Sequence, residues 1–518
     1  MWFNNYAQLL NTVKMDWGKK SNKARDFKVL REEYELVKDP DGQMVGDQTW
    51  HDLEMDTLFL DLDRTKTYAG SLMLYKSLRE TKNNVEEIER KGRQIDVLAH
   101  QPGIREPIQV ALARLGSHDL TGLLYFLDRK LFFEPIFRII AYILMVMPFV
   151  SLGLMVYGGT QFLTLLVVSI ISNVIMYFAF TKYLIINKDH FTVVRNMIIC
   201  ATKIGQVENV ELEQYTKPLK DLSGKCKSIV IRSKGLEFLG NDLTGFAVYI
   251  DMLLMISIRT FYRILDLINL HQKDLVEMYK LIGATDAVVG MASYRSSLKD
   301  FCKPEFTYKP KVLELKDAYN PLIKNSIKNS IMIHDENIYL TGSNMSGKST
   351  FLRTVGINAL MAQTFGFAFA KFYHGSMFKI FSSISRNDNL LEGKSYFLAE
   401  AEIVLDMLKQ SDDAITSLII IDEIFRGTNT KERIEASAGV LNYLAKQNAL
   451  VFVATHDLEI KDKAHHSYKN YHFGENVGEG GIEFDYKIKA GTTVVGNALK
   501  ILKYLGYPDE MFESEVIL

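Results

Sequence analysis

The chain has 518 residues, 47% hydrophobic and 24% charged, with only 10 prolines. That length allows roughly three or four domains of about 150 residues, and the composition excludes a small binding module, a disordered chain and a collagen-like one. Lys and Arg number 61 against 62 Asp and Glu, a net charge of -1, so the overall electrostatics select neither a nucleic-acid nor an acidic partner.

The first ten residues carry Asn4, Asn5 and Gln8 and no basic stretch ahead of an apolar run, so no secretory signal is expected there. Cys200, Cys226 and Cys302 are widely spaced and form no Cys-x-x-Cys pair. They provide neither a disulfide framework nor a zinc site, and they suit a reducing compartment. Basic clusters occur at Lys19-Lys20, at Lys23 and Arg25, at Arg90, Lys91 and Arg93, and between Lys217 and Lys234. Each fits a solvated helix face as well as a phosphate-contacting surface.

From Ile139 to Thr181, 43 consecutive residues carry no charge, and a bilayer core takes about 20 apolar residues per helix. Tyr157-Gly158-Gly159-Thr160-Gln161 interrupts this run with a turn signal. The pattern predicts a transmembrane helical hairpin, with helices near Ile139–Val156 and Phe162–Tyr183 and residues 139–183 in the bilayer. Arg129, Lys130 and Arg138 flank one end, Lys182 and Lys188 the other, and the turn has no charge. Both termini are therefore expected in the cytoplasm, with the chain a two-span protein of the cell membrane. A further apolar stretch, Phe246 to Ile258, contains Asp251 and reads as a core helix.

The strongest chemical signal is Gly342-Ser343-Asn344-Met345-Ser346-Gly347-Lys348-Ser349, followed by Thr350. It matches the spacing of a phosphate-binding loop. Ile338 to Leu340 before it reads as a short strand, and Thr350 to Phe365 after it as a helix. Backbone N–H groups at such a helix start attract phosphate; Lys348 would reach the outer phosphates, and Ser349 would ligate Mg2+. A second apolar run, Leu418 to Ile421, ends in Asp422-Glu423, which places a metal-binding Asp422 beside a water-polarising Glu423. A third, Leu450 to Ala454, leads to His456, at a strand edge from which it can report the γ-phosphate.

These residues carry a family resemblance. Thr341 to Arg353, Asp422-Glu-Ile-Phe-Arg-Gly-Thr-Asn-Thr430 and Ala454-Thr-His456 resemble the ATPase domain of the MutS DNA mismatch-repair family. Tyr279 to Asp286, Pro304 to Phe306 and Asn320-Pro321 are similar to the end of that family's helical core and the entry into its ATPase domain. Leu62 to Gly70, with Leu74 and Leu78, resembles the start of the core, and Gly491 to Pro508 its C-terminal helix-turn-helix. The sequence before Trp50 leaves no room for the mismatch-reading and connector domains, and the hairpin stands where the family places its DNA clamp.

The resemblance implies a multidomain chain: a helical region at 1–48, a first part of a MutS-like helical core at 49–130, the transmembrane hairpin at 131–188, a second part of the core and lever at 189–309, and an α/β P-loop ATPase domain of the ABC type at 310–518. It implies ATP and Mg2+ as cofactors, a homodimer through the ATPase domains with Ser395 acting in trans on the γ-phosphate, His472 near adenine, and DNA as partner. Lys348, Glu423 and His456 are the expected catalytic residues. Tyr396, Ala401 and the Lys431-Glu432-Arg433 run depart from the family pattern near the dimer interface. Two other functions compete with a membrane-anchored DNA clamp: a nucleotide-gated membrane scaffold without DNA binding, and an ABC-type transporter subunit.

Overall fold

A computed structural model describes residues 2–492 except 22–24, 41, 117–120, 132, 241–245, 344, 385–395, 411–413, 426–427 and 479–480, together with 507–508. The chain divides into two compact units that are interleaved in sequence: Met1–Lys38, Asp63–Tyr75 and Gln94–Ser296 form one, and Asp39–Leu62, Lys76–Arg93 and Ser297–Leu518 the other.

The first unit is helical. Its central helix, Gln272–Ser296, is buried on nearly every face from Thr285 to Arg295. The Asp286 carboxylate accepts hydrogen bonds from the backbone N–H of Lys66 at 3.0 Å and from the N–H and hydroxyl of Thr67, both at 2.7 Å. Gly283 lets the segment from Asp63 come this close, because a Cβ there would meet the Ala69 carbonyl at 2.4 Å.

Two stretches of this unit, Pro135–Gly158 and Thr160–Thr181, are long and apolar enough to cross a membrane, and only 17% of each is buried. A buried helical pair in a water-soluble core is thus not what the chain builds here. Gly159, at φ 98°, makes the turn. The second helix does not stop near Tyr183. It runs from Leu163 to Ile204, because lysines end the apolar run while no helix breaker occurs before Gly205.

The segment Phe246 to Ile258 corrects the expectation of a core helix. Helix Phe246–Leu254 ends at Met255, in the left-handed region at φ 49°, and helix Ile256–Leu270 starts anew. Phe246 is 67% and Tyr249 71% exposed.

The second unit holds a six-stranded sheet in the order 481–490, 468–478, 337–341, 449–454, 416–422, 378–383. Five strands are parallel, and 481–490 closes one edge antiparallel. The strands at 337, 416 and 449 are buried along their whole length, as continuous Ile, Leu and Val runs require when both faces are covered. Helices Lys348–Phe365 and Thr430–Leu444 supply part of that cover. A four-stranded sheet, in the order 305–306, 372–375, 312–318, 329–334, completes the unit. The early segment Asp47–Asp52 joins it through Asp52, fully buried, whose carboxylate accepts from the Ser382 hydroxyl at 2.7 Å and the Ile384 N–H at 2.9 Å.

Candidate functional site

Parallel strands bring their carboxyl ends to one edge, and the register is close: Ala454 pairs with Leu340 on one side and with Asp422 on the other. The loops leaving Thr341, Asp422 and Ala454 therefore converge, the position where open α/β sheets present ligand-binding groups.

The first loop turns on two glycines that no other residue could replace without strain, Gly342 at φ 145° and Gly347 at φ 109°. Helix Lys348–Phe365 starts there, with its first N–H groups lacking intrahelical acceptors. Lys348, 5% exposed, folds back so that its ammonium donates to the Gly342 carbonyl at 2.6 Å and the Ser343 carbonyl at 2.8 Å. Ser346 Oγ is buried with no hydrogen-bond partner. The Ser349 hydroxyl donates to Asp422 Oδ2, so the two groups expected to share a cation already meet.

Glu423 follows in the left-handed region at φ 59° and is pinned by its N–H on the Ala454 carbonyl at 2.8 Å. A non-glycine residue is rare there. The bend aims its carboxylate at His456, whose Nδ1 lies 3.1 Å away. The next residue, Asp457, takes a bidentate pair from Arg433 at 2.8 and 2.9 Å. Its carbonyl accepts from the Tyr339 hydroxyl at 2.6 Å. Burial, with Asp457 nearby, raises the Tyr339 phenol above its ordinary value and keeps it a donor. The loop carrying His456 is thus fixed from two sides.

Lys348, Ser349, Thr350, Asp422 and Glu423 line one cavity of about 460 Å³ together with Gly347, Met345 and Ser343. A neighbouring cavity of about 360 Å³ shares Gly347, Thr350 and Tyr486 and adds the apolar Ile323 and Ile327. His472 is not among the residues lining either; its Nδ1 lies 3.1 Å from the Gly491 carbonyl. Asn344, Ser395, Arg426 and Gly427 lie outside the described residues, as does most of the expected helix-turn-helix. Sequence reasoning missed Tyr486, whose ring would meet a Cβ on Gly347 at 3.2 Å, because no motif marks the edge hairpin that carries it. It also gave no role to Arg353, which lines the first cavity and donates to the Asp52 carbonyl at 2.8 Å.

The donor set fits a nucleoside triphosphate with Mg2+. A Cβ on Gly342 would fall 2.8 Å from the Phe473 carbonyl and 2.9 Å from Ser346 Oγ, so the loop's backbone is open only because a side chain is absent. An ammonium, a helix start and a buried orphan hydroxyl face the same space as a hydroxyl–carboxylate pair.

Comparison with known proteins agrees with this geometry. The family model of MutS domain V matches residues 338–516. The DNA mismatch repair protein MutS of Thermotoga maritima is 31% identical over 251 residues, 46% of this chain and 31% of the relative. That of Lactobacillus delbrueckii subsp. bulgaricus is 31% identical over 260 residues, 48% of this chain and 30% of the relative. The Clostridium kluyveri MutS is 28% identical over 282 residues, 51% and 32% of the respective chains. The chain spans about a third of the length of these curated relatives. The chain is a protein of the MutS family, with residues 338–516 matching domain V.

Proposed function

We propose that this protein is a membrane-anchored, Mg2+-dependent ATPase that uses ATP to switch a dimeric DNA-binding clamp. The observation that carries the reading is the meeting of Lys348, Ser349, Asp422 and Glu423 in one cavity at the start of a helix. The helix N–H groups and Lys348 hold the phosphates, and Ser349 and Asp422 hold the cation. Mg2+ there neutralises charge developing between the phosphates. Glu423 orients and deprotonates the attacking water, and His456 fixes the Glu423 carboxylate and senses the γ-phosphate. The purine enters the neighbouring cavity, between Ile323, Ile327 and Tyr486. Ser395 of the partner subunit completes the site.

Residues 135–181 anchor the protein in the cell membrane, with the Gly158-Gly159 turn outside and the nucleotide site in the cytoplasm. DNA is gripped through backbone phosphates, which gives steep salt dependence and little preference for a mismatch. The Glu423→Gln variant tests the catalytic reading. It is expected to bind ATP with parental affinity and to lose about 10²-fold or more in turnover, the range for removal of a general base. Turnover at the parental rate would refute the role of Glu423, and a parent protein that binds but never hydrolyses ATP would favour the nucleotide-gated scaffold.

A further inference from the structure

Helix Ile256–Leu270 climbs along the first apolar helix by a ladder of contacts. Asn269 Nδ2 donates to the Leu131 carbonyl at 2.8 Å, the Tyr262 hydroxyl to the Glu134 carbonyl at 2.8 Å, and Arg138 pairs with Asp266 at 2.9 Å. Above these, the Arg259 guanidinium lies over the Tyr142 ring, 5.4 Å from its centroid. Above that again, Asn173 Nδ2 of the second apolar helix donates to the Leu253 carbonyl at 3.2 Å. At about 1.5 Å per residue, Asn173 lies roughly 12 Å inside Thr181, the end of the second apolar stretch. The break between the two short helices is therefore level with the apolar helices, not with their charged ends.

A second observation concerns the backbone at the break. Non-helical backbone at membrane depth is tolerated only where protein groups replace water. Here they do. The Leu253 carbonyl is taken by Asn173, and the Leu254 carbonyl by Arg259 at 3.4 Å. Buried Asp251 accepts from the Ser257 N–H at 2.7 Å and from the Ser257 hydroxyl, capping the helix that follows. Meanwhile Phe246, Tyr249, Ile250 and Leu253 are exposed, beside the exposed Ile, Val and Phe side chains of the hairpin. Polar groups turned inward with large apolar groups turned outward is the arrangement suited to lipid and opposite to that suited to water.

We propose that residues 246–258 form a re-entrant segment seated in the leaflet on the side of Pro135 and Thr181, a third membrane element whose Phe246, Tyr249, Ile250 and Leu253 face acyl chains. This rests on the reading of residues 135–181 as membrane spans. Single cysteines at Tyr249, at Ile175 in the second span and at Val210 outside it, all exposed, are labelled with bimane in the full-length protein. The proteins are then reconstituted in phosphatidylcholine vesicles containing acyl-chain nitroxide lipid. The parent, whose three native cysteines are buried or half-buried, serves as the blank. Lipid nitroxide is expected to quench the Tyr249 probe to within about twofold of the Ile175 probe, and aqueous iodide to quench only the Val210 probe, since the hydrocarbon core excludes it. Quenching of the Tyr249 probe by iodide while Ile175 answers to lipid overturns the proposal and leaves the spans standing. Shielding of the Tyr249 probe from both quenchers means that protein covers the face, which also overturns it. If the Ile175 probe itself escapes lipid quenching, the membrane reading fails and this proposal with it.

Discussion

Replacing Gly342 by alanine tests whether the loop at the sheet edge is a phosphate cradle whose shape depends on that one missing side chain. The residue sits at φ 145°, and an added Cβ would lie 2.8 Å from the Phe473 carbonyl and 2.9 Å from Ser346 Oγ. The first of these atoms is backbone of a strand paired with Thr341 through its neighbour His472, so it cannot retreat. A side chain in such a backbone region costs about 1–3 kcal/mol, and the overpacking adds about 1–3 kcal/mol. The loop relieves a combined cost of about 3 kcal/mol by shifting away from its phosphate-binding shape, so ATP affinity is expected to fall roughly 100-fold at about 1.4 kcal/mol per tenfold. Gly347→Ala is a graded comparison, because its Cβ would meet only the Tyr486 ring at 3.2 Å, and a half-exposed ring can turn. It keeps the conformational cost alone and is expected to lose about tenfold. Gly439 is the control: it lies in helix Thr430–Leu444 with nothing within 4 Å, and alanine there stabilises by up to about 1 kcal/mol without touching affinity. Titration with a fluorescent ATP analogue, paired with thermal melting, reads all three. A Gly342→Ala protein with both affinity and melting temperature at parental values would refute the reasoning.

Asp52→Ala strips the partner from two buried donors, the Ser382 hydroxyl and the Ile384 N–H, and is expected to destabilise the second unit by about 3 kcal/mol, with Asp52→Asn costing about half; chemical denaturation measures both. Lys91, whose ammonium lies over the Phe365 ring at 5.1 Å, is pushed down to about 8 by burial and, secondarily, by Lys82. The unfolded chain then holds the extra proton between pH 8 and the ordinary lysine value of about 10.4, so stability should rise with pH across that window. Lys91→Met is expected to flatten the rise.

The second unit was legible where covalent neighbours carry the signal. Leu418 to Ile421 and Leu450 to Ala454 announce buried parallel strands by uninterrupted branched side chains, and Gly342 and Gly347 announce a backbone that only glycine adopts. The cavity that unites Lys348, Ser349, Asp422 and Glu423 follows once those strands align. What stayed hidden depends on distant partners. Nothing near Asp52 says that its carboxylate will close on Ser382, and Trp50 meets the Arg79 guanidinium at 4.3 Å across a segment that belongs to the other unit. The same holds for Tyr486 and for the base-sized cavity beside it. Charge ends an apolar run but does not end a helix, which is why the reading that stopped near Tyr183 fell short of Ile204.

That continuity decides whether the anchor is a tether or a rod. Phe180, on the apolar side of the uninterrupted helix Leu163–Ile204, packs on Phe261 with centroids 5.3 Å apart, and Phe191, farther along, packs on the same ring at 5.2 Å. Both are buried, as are Val194, Met197, Ile198, Ala201 and Ile204. Inserting one alanine after residue 185 turns everything beyond it by about 100° and advances it by about 1.5 Å. Phe180 and Phe191 then cannot both reach Phe261. Losing the burial of one large aromatic costs about 3–5 kcal/mol, so the insertion is expected to lower stability in detergent by at least about 3 kcal/mol, read by denaturant titration or by the rate of proteolysis. An alanine inserted after Gly159, where nothing lies within 4 Å of the Cβ position, is expected to be tolerated. Equal tolerance of both insertions would mean that the stretch between Phe180 and Phe191 behaves as a flexible linker. A large difference means that the tilt of the spans in the bilayer fixes the orientation of the helical unit below it, since a rod packed at both ends cannot absorb rotation.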